Sequence, residues 1–193
     1  MAVTHSRLSR SSRLSSSISA DMNASEWVVR FAPLVTPSGS VLDVACGNGR
    51  HTRFFLARGH KVVAVDIDLS KVSDLQTSAC LKLIEADIER DPWPLPGARF
   101  DAVVVTNYLH RRLFDRFVEA VAPEGMLIYE TYARGNERWG RPINPDFLLR
   151  PGELLEVARR RLRVVAYEDV TVVEPRHAAV QRICAIAPPS HAG

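Results

Sequence analysis

Residues 41–66, VLDVACGNGRHTRFFLARGHKVVAVD, restrict the fold more than any other stretch of this chain. An apolar run over 41–45 meets Gly47 and Gly49, and residues 50–58 then carry Phe54, Phe55 and Leu56 in helix-compatible company. A second β-branched run, 61–65, ends at Asp66. Strand, glycine loop, helix, strand and acid, in that order, make a βαβ unit of an open parallel sheet. Glycines there let the backbone approach a nucleotide, and an acid at the next strand end accepts from ribose hydroxyls.

The remaining pattern extends the same architecture. Trp27, Val28, Phe31 and Leu34 have near-helical spacing after Ser25, a candidate cap, and Trp27 reads as a packing residue with an aromatic lid as the sharper alternative. Leu69, Val72, Leu75 and Ala79 predict a helix after Asp66, with Asp68 or Ser70 as its cap, and a short strand follows over 81–85. Pro92, Pro94 and Pro96 force a loop, because each removes a donor and restricts its predecessor. FDAVVVT, residues 100–106, is apolar enough to be buried on both faces. Leu113, Phe114, Phe117, Val118 and Val121 form a helical stripe stopped by residues 123–125, and a fifth strand is expected over 126–131. A long polar and aromatic loop, 132–149, precedes a helix that opens near Pro151 and ends in arginines at 159–161. Two β-rich runs, 163–168 and 178–187, joined by a turn near Pro175, close the chain. The expected fold is α/β: a Rossmann-like, doubly wound, seven-stranded sheet. Five strands alternate with helices, and the last connection is too short for a crossover, so one strand is antiparallel.

Composition narrows the class. A chain of 193 residues with 46% apolar and 24% charged composition suits one full-sized core, assigned to residues 22–193. No apolar run is long enough to span a membrane. Cys46, Cys80 and Cys184 form no CxxC pair, which fits a reducing, cytoplasmic setting without a structural metal. The net charge of +3 arises in the first 20 residues, where Arg7, Arg10 and Arg13 face no acid; the rest holds 22 basic and 22 acidic residues. That neutral body argues against nucleic acid as the main partner. Residues 1–21 are serine-rich and expected to be disordered or extra sequence before Met22, with an organellar transit peptide as the alternative.

Two nucleotide classes fit the glycine loop. A dinucleotide fingerprint needs a small third residue, but the aligned positions here are Ala45, Gly47 and Arg50, and the long arginine disfavours pyrophosphate. No lysine follows the glycines, which removes a P-loop. Over about residues 23–187 the chain resembles the class I S-adenosylmethionine-dependent methyltransferases, in the style of small single-domain bacterial, tellurite-resistance-like members. Asp43, Ala45, Gly47 and Gly49 match the first motif, with alanine replacing its first glycine; that replacement is expected to be mild.

The resemblance implies a cofactor, S-adenosyl-L-methionine, and a set of contacts to it. Asp66 would bind the ribose, Ile67 and Ile88 would flank the adenine, Asp87 would accept from its amino group, and Asn107 with Tyr108 would border the methionine end. Asp43 could instead serve the loop amides. His110 is the candidate base, with packing as its alternative, and Tyr108 stands beside it as the second catalytic candidate. Tyr132, Arg138 and Arg141 in the long loop are candidate substrate contacts for an anionic or planar small molecule. The expected activity is methyl transfer to a small-molecule acceptor by a monomer or homodimer. The alternative is a non-catalytic, RNA- or protein-directed cofactor-binding module working through Arg111, Arg112, Arg116 and the 159–163 arginines.

Overall fold

The computed structural model describes residues 23–159, 161–174 and 176–190, so the amino-terminal tail, Arg160 and the turn at Pro175 lie outside the described residues. Its strands are β1 (Ser40–Val44), β2 (Lys61–Asp66), β3 (Leu81–Glu85), β4 (Phe100–Thr106), β5 (Val121–Tyr132), β6 (Arg163–Val172) and β7 (Ala178–Ile186). They form one sheet in the order β3-β2-β1-β4-β5-β7-β6. The first five run parallel, and β7 is antiparallel to both β5 and β6. The chain winds outward from β1 through β2 and β3, then returns to β4 on the other side. The ends of β1 and β4 therefore flank a topological switch point, where open α/β sheets place their ligands.

Among the described residues four short α-helices flank the sheet: α1 (Glu26–Phe31), α2 (Arg50–Leu56), α3 (Phe114–Glu119) and α4 (Glu153–Ala158). Helices of six or seven residues are not stable alone, so packing must hold them. Residues alternate across the pleat and feed two cores. One face buries Val41, Ala102, Val104 and Ile128 beneath Trp27, Phe31 and Phe55. The other buries Leu42, Val103, Val105 and Leu127 beneath Phe117, Leu154 and Ala158. Each large side chain so buried contributes about 1.5–3 kcal/mol. Trp27 is a packing residue: it is buried, and its indole N–H donates to the Ile183 carbonyl at 3.2 Å.

The crossovers differ from expectation in three places. The segment after β2 is a 3-10 helix, Ser70–Leu75, rather than an α-helix reaching Ala79. Of its apolar positions only Val72 is fully buried, and Ala79 is exposed, so the periodic spacing had too little core to bury. Between β3 and β4 the proline-rich loop carries no helix, so the strict alternation of five strands with helices does not hold. Finally, β5 starts at Val121 and contains residues 123–125 as an irregularity opposite Phe100 and Ala102. Glu124 there has φ 60°, and a Cβ on Gly125 would lie 2.8 Å from the Phe100 carbonyl oxygen, so the chain bulges and then resumes pairing. Among the described residues no helix is long and apolar enough to cross a membrane.

Candidate functional site

The loop after β1 is held in a left-handed conformation at alternate positions: φ is 51° at Ala45, 56° at Gly47 and 71° at Gly49. Glycine adopts this region freely, whereas an L side chain there costs about 1–2 kcal/mol. Ala45 is therefore a strained substitute for glycine, not the mild one expected from its size. Gly47 and Gly49 serve different ends. A Cβ on Gly49 would lie 2.4 Å from Val72 Cγ1, whereas one on Gly47 would meet nothing within 4 Å. Gly49 lets the 3-10 helix Ser70–Leu75 pack against the loop, and Gly47 leaves open space beside it.

Asp43 does not reach that space. Its carboxylate is buried beneath the loop and accepts from Thr52 Oγ1 at 2.6 Å. Burial pushes its pKa up to about 6 against the opposing Thr52 hydrogen bonds and the Arg50 charge. Asp43 fastens β1 to α2 and is absent from the lining of the hollows described below. Cys46, next along, is buried, and burial followed by the Asp43 and Asp66 charges pushes its thiol up to about 12, so it stays protonated.

Asp66, by contrast, stands at the loop's edge. One carboxylate oxygen accepts the Gly47 N–H at 2.7 Å and the other the Asp68 N–H at 3.1 Å. A carboxylate offers about four acceptor sites, so room for hydroxyl donors remains. Asp68 in turn accepts from the Ser70 N–H at 2.9 Å, forming a turn, while the helix cap expected of it or Ser70 is absent: Leu69 holds the N-cap position of the 3-10 helix without a side-chain hydrogen bond. Ala45, Asp66, Ile67, Asp87, Ile88 and Tyr108 line one hollow of about 440 Å³ at the carboxyl edge of the sheet. Ile67 is 64% exposed there, an apolar side chain with no protein cover. Asp87 accepts the Glu89 N–H at 3.1 Å through one oxygen.

A second hollow of about 260 Å³ adjoins the first and shares Tyr108 and Glu89 with it. Asn107, Leu109, Tyr132, Pro142 and Phe147 complete most of its wall. Asn107 sits at φ 54°, which asparagine tolerates better than most residues, and this turns the chain sharply at the end of β4. The Tyr108 hydroxyl is buried without a hydrogen bond of ordinary geometry, and burial, then the Glu89 charge, raises its pKa. His110 lines neither hollow; its Nδ1 lies 3.6 Å from a Glu89 carboxylate oxygen. Glu89 is thus the carboxylate in the lining of the second hollow, and only proximity across 21 residues reveals it. A third hollow, about 480 Å³, opens on the other side of Asn107 and Tyr132 between Arg50, Glu130 and the start of α1.

Behind this edge lies a polar group that sequence reading missed, His51. It is buried; its Nε2 accepts the Ser25 N–H at 3.1 Å and its Nδ1 lies 3.3 Å from Thr106 Oγ1. An acceptor Nε2 leaves the proton of a neutral ring on Nδ1, facing the threonine. Burial, then the Arg50 charge, lowers the His51 pKa to about 3. Ser25 caps α1 through its acceptance from the Trp27 N–H and donates to Glu130 at 2.7 Å, which also pairs with Arg182. This network fastens α1 over the ends of β4 and β5.

The long loop is also fastened. Arg111 donates to the carbonyls of Asp146 (2.6 Å) and Leu148 (2.9 Å) and pairs with Glu153 at 2.7 Å. Its neck is closed by the pairing of Ala133 with Leu149. Of the three expected substrate contacts, Tyr132 reaches a hollow, while Arg138 and Arg141 are exposed on the loop and line none of the three. The arginines of the alternative reading are largely spoken for as well: Arg116 and Arg161 both pair with Glu119, and Arg159 with Glu156.

Residues 41–125 match the family model described as a methyltransferase domain. An uncharacterized methyltransferase of Mycobacterium tuberculosis is 36% identical over 108 residues, covering 52% of this chain and 54% of that protein. The chain thus spans about half the length of the curated relatives it matches. Among solved structures, TehB from Haemophilus influenzae superposes with a TM-score of 0.66 at 17% identity, covering 86% of this chain and 63% of that one. The Burkholderia thailandensis 1,6-didemethyltoxoflavin-N1-methyltransferase, with bound 1,6-didemethyltoxoflavin and S-adenosylhomocysteine, superposes at 0.64 and 17% identity over 97% and 94% of the two chains.

Proposed function

We infer, from the premise that this chain carries a methyltransferase domain on the class I methyltransferase fold, that it moves a methyl group from S-adenosylmethionine to a small-molecule acceptor. The observation that carries the reading is the first hollow. Two acids at adjacent strand ends, Asp66 and Asp87, flank the uncovered Ile67 in one hollow, and the glycine loop meets it where the Gly47 N–H donates to Asp66. An adenosine unit needs those groups: acceptors for two ribose hydroxyls and an amino group, and an apolar surface for a flat ring.

When bound, S-adenosylmethionine supplies an electrophilic methyl group on a sulfonium, so the protein mainly orients the partners. Asp66 accepts from the ribose through the lone pairs left by Gly47 and Asp68. Ile67 and Ile88 cover the adenine, and Asp87 accepts from its amino group. The backbone of Gly47, with the open space beside it, lets the methionine portion pass towards Asn107 and Tyr108. The second hollow, entered past Tyr108, then holds the acceptor within near-attack reach, roughly 3–3.5 Å between reacting atoms. Its 260 Å³ falls just below the usual 300–1,000 Å³ range of ligand pockets, which favours a small acceptor over a macromolecule. The toxoflavin enzyme, named an N1-methyltransferase, is a precedent for that acceptor class on this fold.

The test is calorimetric titration of the full chain with S-adenosylmethionine and S-adenosylhomocysteine, followed by a coupled assay for S-adenosylhomocysteine over a metabolite and RNA panel. Saturable binding of both and turnover of a metabolite are expected. Absence of cofactor binding refutes the proposal, and cofactor binding with retention of RNA but no turnover favours the binding-module alternative.

A further inference from the structure

The geometry points to a planar N–H or O–H acceptor, an aromatic heterocycle or phenol, whose departing proton is taken by Glu89; this rests on the methyl-transfer reading above. The second hollow has the walls for a flat ring. Tyr108, Leu109, Tyr132, Pro142 and Phe147 present aromatic and apolar surface to it, and the one charged group in its lining is Glu89. Phe147 is 53% exposed, yet it is held at the rim because Arg111 clamps the carbonyls on either side of it, at Asp146 and Leu148. An exposed aromatic fixed from behind is preorganised surface, and preorganisation lowers the ordering cost of binding.

Polarity then selects within flat molecules. The buried Tyr108 hydroxyl faces the Glu89 carboxylate without a hydrogen bond of ordinary geometry, so a better-aligned ligand acceptor gains that bond. Held protonated, it donates to a carbonyl or ring nitrogen of the acceptor. The Glu89 carboxylate lies in the same wall and accepts the neighbouring N–H or O–H. A donor and an acceptor side by side match a ring in which an N–H or O–H adjoins a lone-pair acceptor. An anionic acceptor meets the opposite situation: no arginine or lysine lines the hollow, and Glu89 repels it.

The same contacts supply the chemistry. A lone pair on the acceptor nitrogen or oxygen forms the new bond to the methyl carbon. The carbon–sulfur bond breaks, and its electron pair returns to sulfur as the neutral thioether. The proton lost by the acceptor moves to the Glu89 carboxylate and from there to solvent, to which that side chain is 46% exposed. Glu89 is then the catalytic residue.

The experiment titrates the full chain, first with S-adenosylhomocysteine alone and then, saturated with it, with three probes. Quinazolin-4-one carries an N–H beside a carbonyl; 3-methylquinazolin-4-one lacks the N–H; 1-naphthoate is planar and anionic. Quinazolin-4-one should bind at least tenfold more tightly than either of the others. Glu89→Gln and Phe147→Ala should each weaken it at least fivefold while leaving the melting temperature within a degree or two. Equal or tighter binding of naphthoate, binding of no probe, or unchanged quinazolin-4-one affinity in Glu89→Gln overturns the inference. Failure of S-adenosylhomocysteine to bind in the first titration overturns the methyl-transfer reading and this inference with it.

Discussion

Replacing Asp43 by asparagine should change the slope of stability against pH. In the folded protein the Asp43 carboxyl is buried against Thr52 with its pKa at about 6, and its ordinary value is 3.8. A folded-state pKa raised above the unfolded one gives stability that is fully present below pH 3.8 and lost as pH rises through 6. With one pKa unit equal to about 1.4 kcal/mol, roughly 2–3 kcal/mol disappears between pH 4 and pH 7. His51 works in the opposite direction. Its folded pKa, about 3, lies below the ordinary 6.5, so its contribution is present above pH 6.5 and is lost as pH falls towards 3. Between pH 6 and about 4 the two slopes oppose and nearly cancel. The substituted amide keeps the shape of the carboxyl and can still accept from Thr52, but it cannot titrate. In Asp43→Asn the His51 slope should therefore stand alone, about 1.4 kcal/mol lost per pH unit below 6.5. Urea unfolding of both proteins at pH 7, 6, 5 and 4, with linear extrapolation, measures the difference. Any fixed penalty from the amide shifts the curve without tilting it. Parallel stability curves for the two proteins would refute the reasoning.

Other substitutions separate the loop's two tasks and probe its neighbours. Gly49→Ala, with Val72 Cγ1 2.4 Å from the new methyl group, should cost about 2 kcal/mol or more in thermal melts. Gly47→Ala meets only the strain of its positive φ, about 1 kcal/mol, and should instead reduce S-adenosylhomocysteine affinity in calorimetry. Asp66→Ala should weaken that affinity by about 1–3 kcal/mol through lost ribose hydrogen bonds, and an unchanged Kd in the folded variant would contradict its assignment. Ser25→Ala loses the α1 cap and the Glu130 hydrogen bond; about 1–2 kcal/mol should be missing from the unfolding free energy.

The first hollow was legible in the chain because the residues that line it stand at strand ends. The glycine loop, Asp66, Asp87 and Asn107 each follow a strand whose end the apolar runs mark, and parallel pairing brings those ends to one edge. Trp27 and Ser25 were legible for the same reason, as parts of one short helix. What escaped depends on contacts between segments distant in sequence. His51 looked like a helix residue until Ser25 and Thr106 closed on it, and Glu89 like a loop acid until it turned towards Tyr108 and His110. The helix expected through Ala79 failed because spacing reports a stripe but not whether a core waits beneath it. Arg138 and Arg141 carry charge on the outside of a loop whose inward side presents Tyr132, Pro142 and Phe147.

The closed neck of the 132–149 loop carries an evolutionary consequence. Ala133 pairs with Leu149, whose N–H donates to the Tyr132 carbonyl and whose carbonyl accepts from the Arg134 N–H, each at 2.9 Å, so everything between is a bulb on a stem. Lengthening a loop whose ends are already joined costs little free energy. Segments of different size and sequence can therefore be accommodated at the tip, residues 140–145, short of the Trp139 stack on His177 and the Arg111 clamp at Asp146 and Leu148. The pairing thus sets the tip of the loop apart from the sheet edge that carries the first hollow, so the two can change independently.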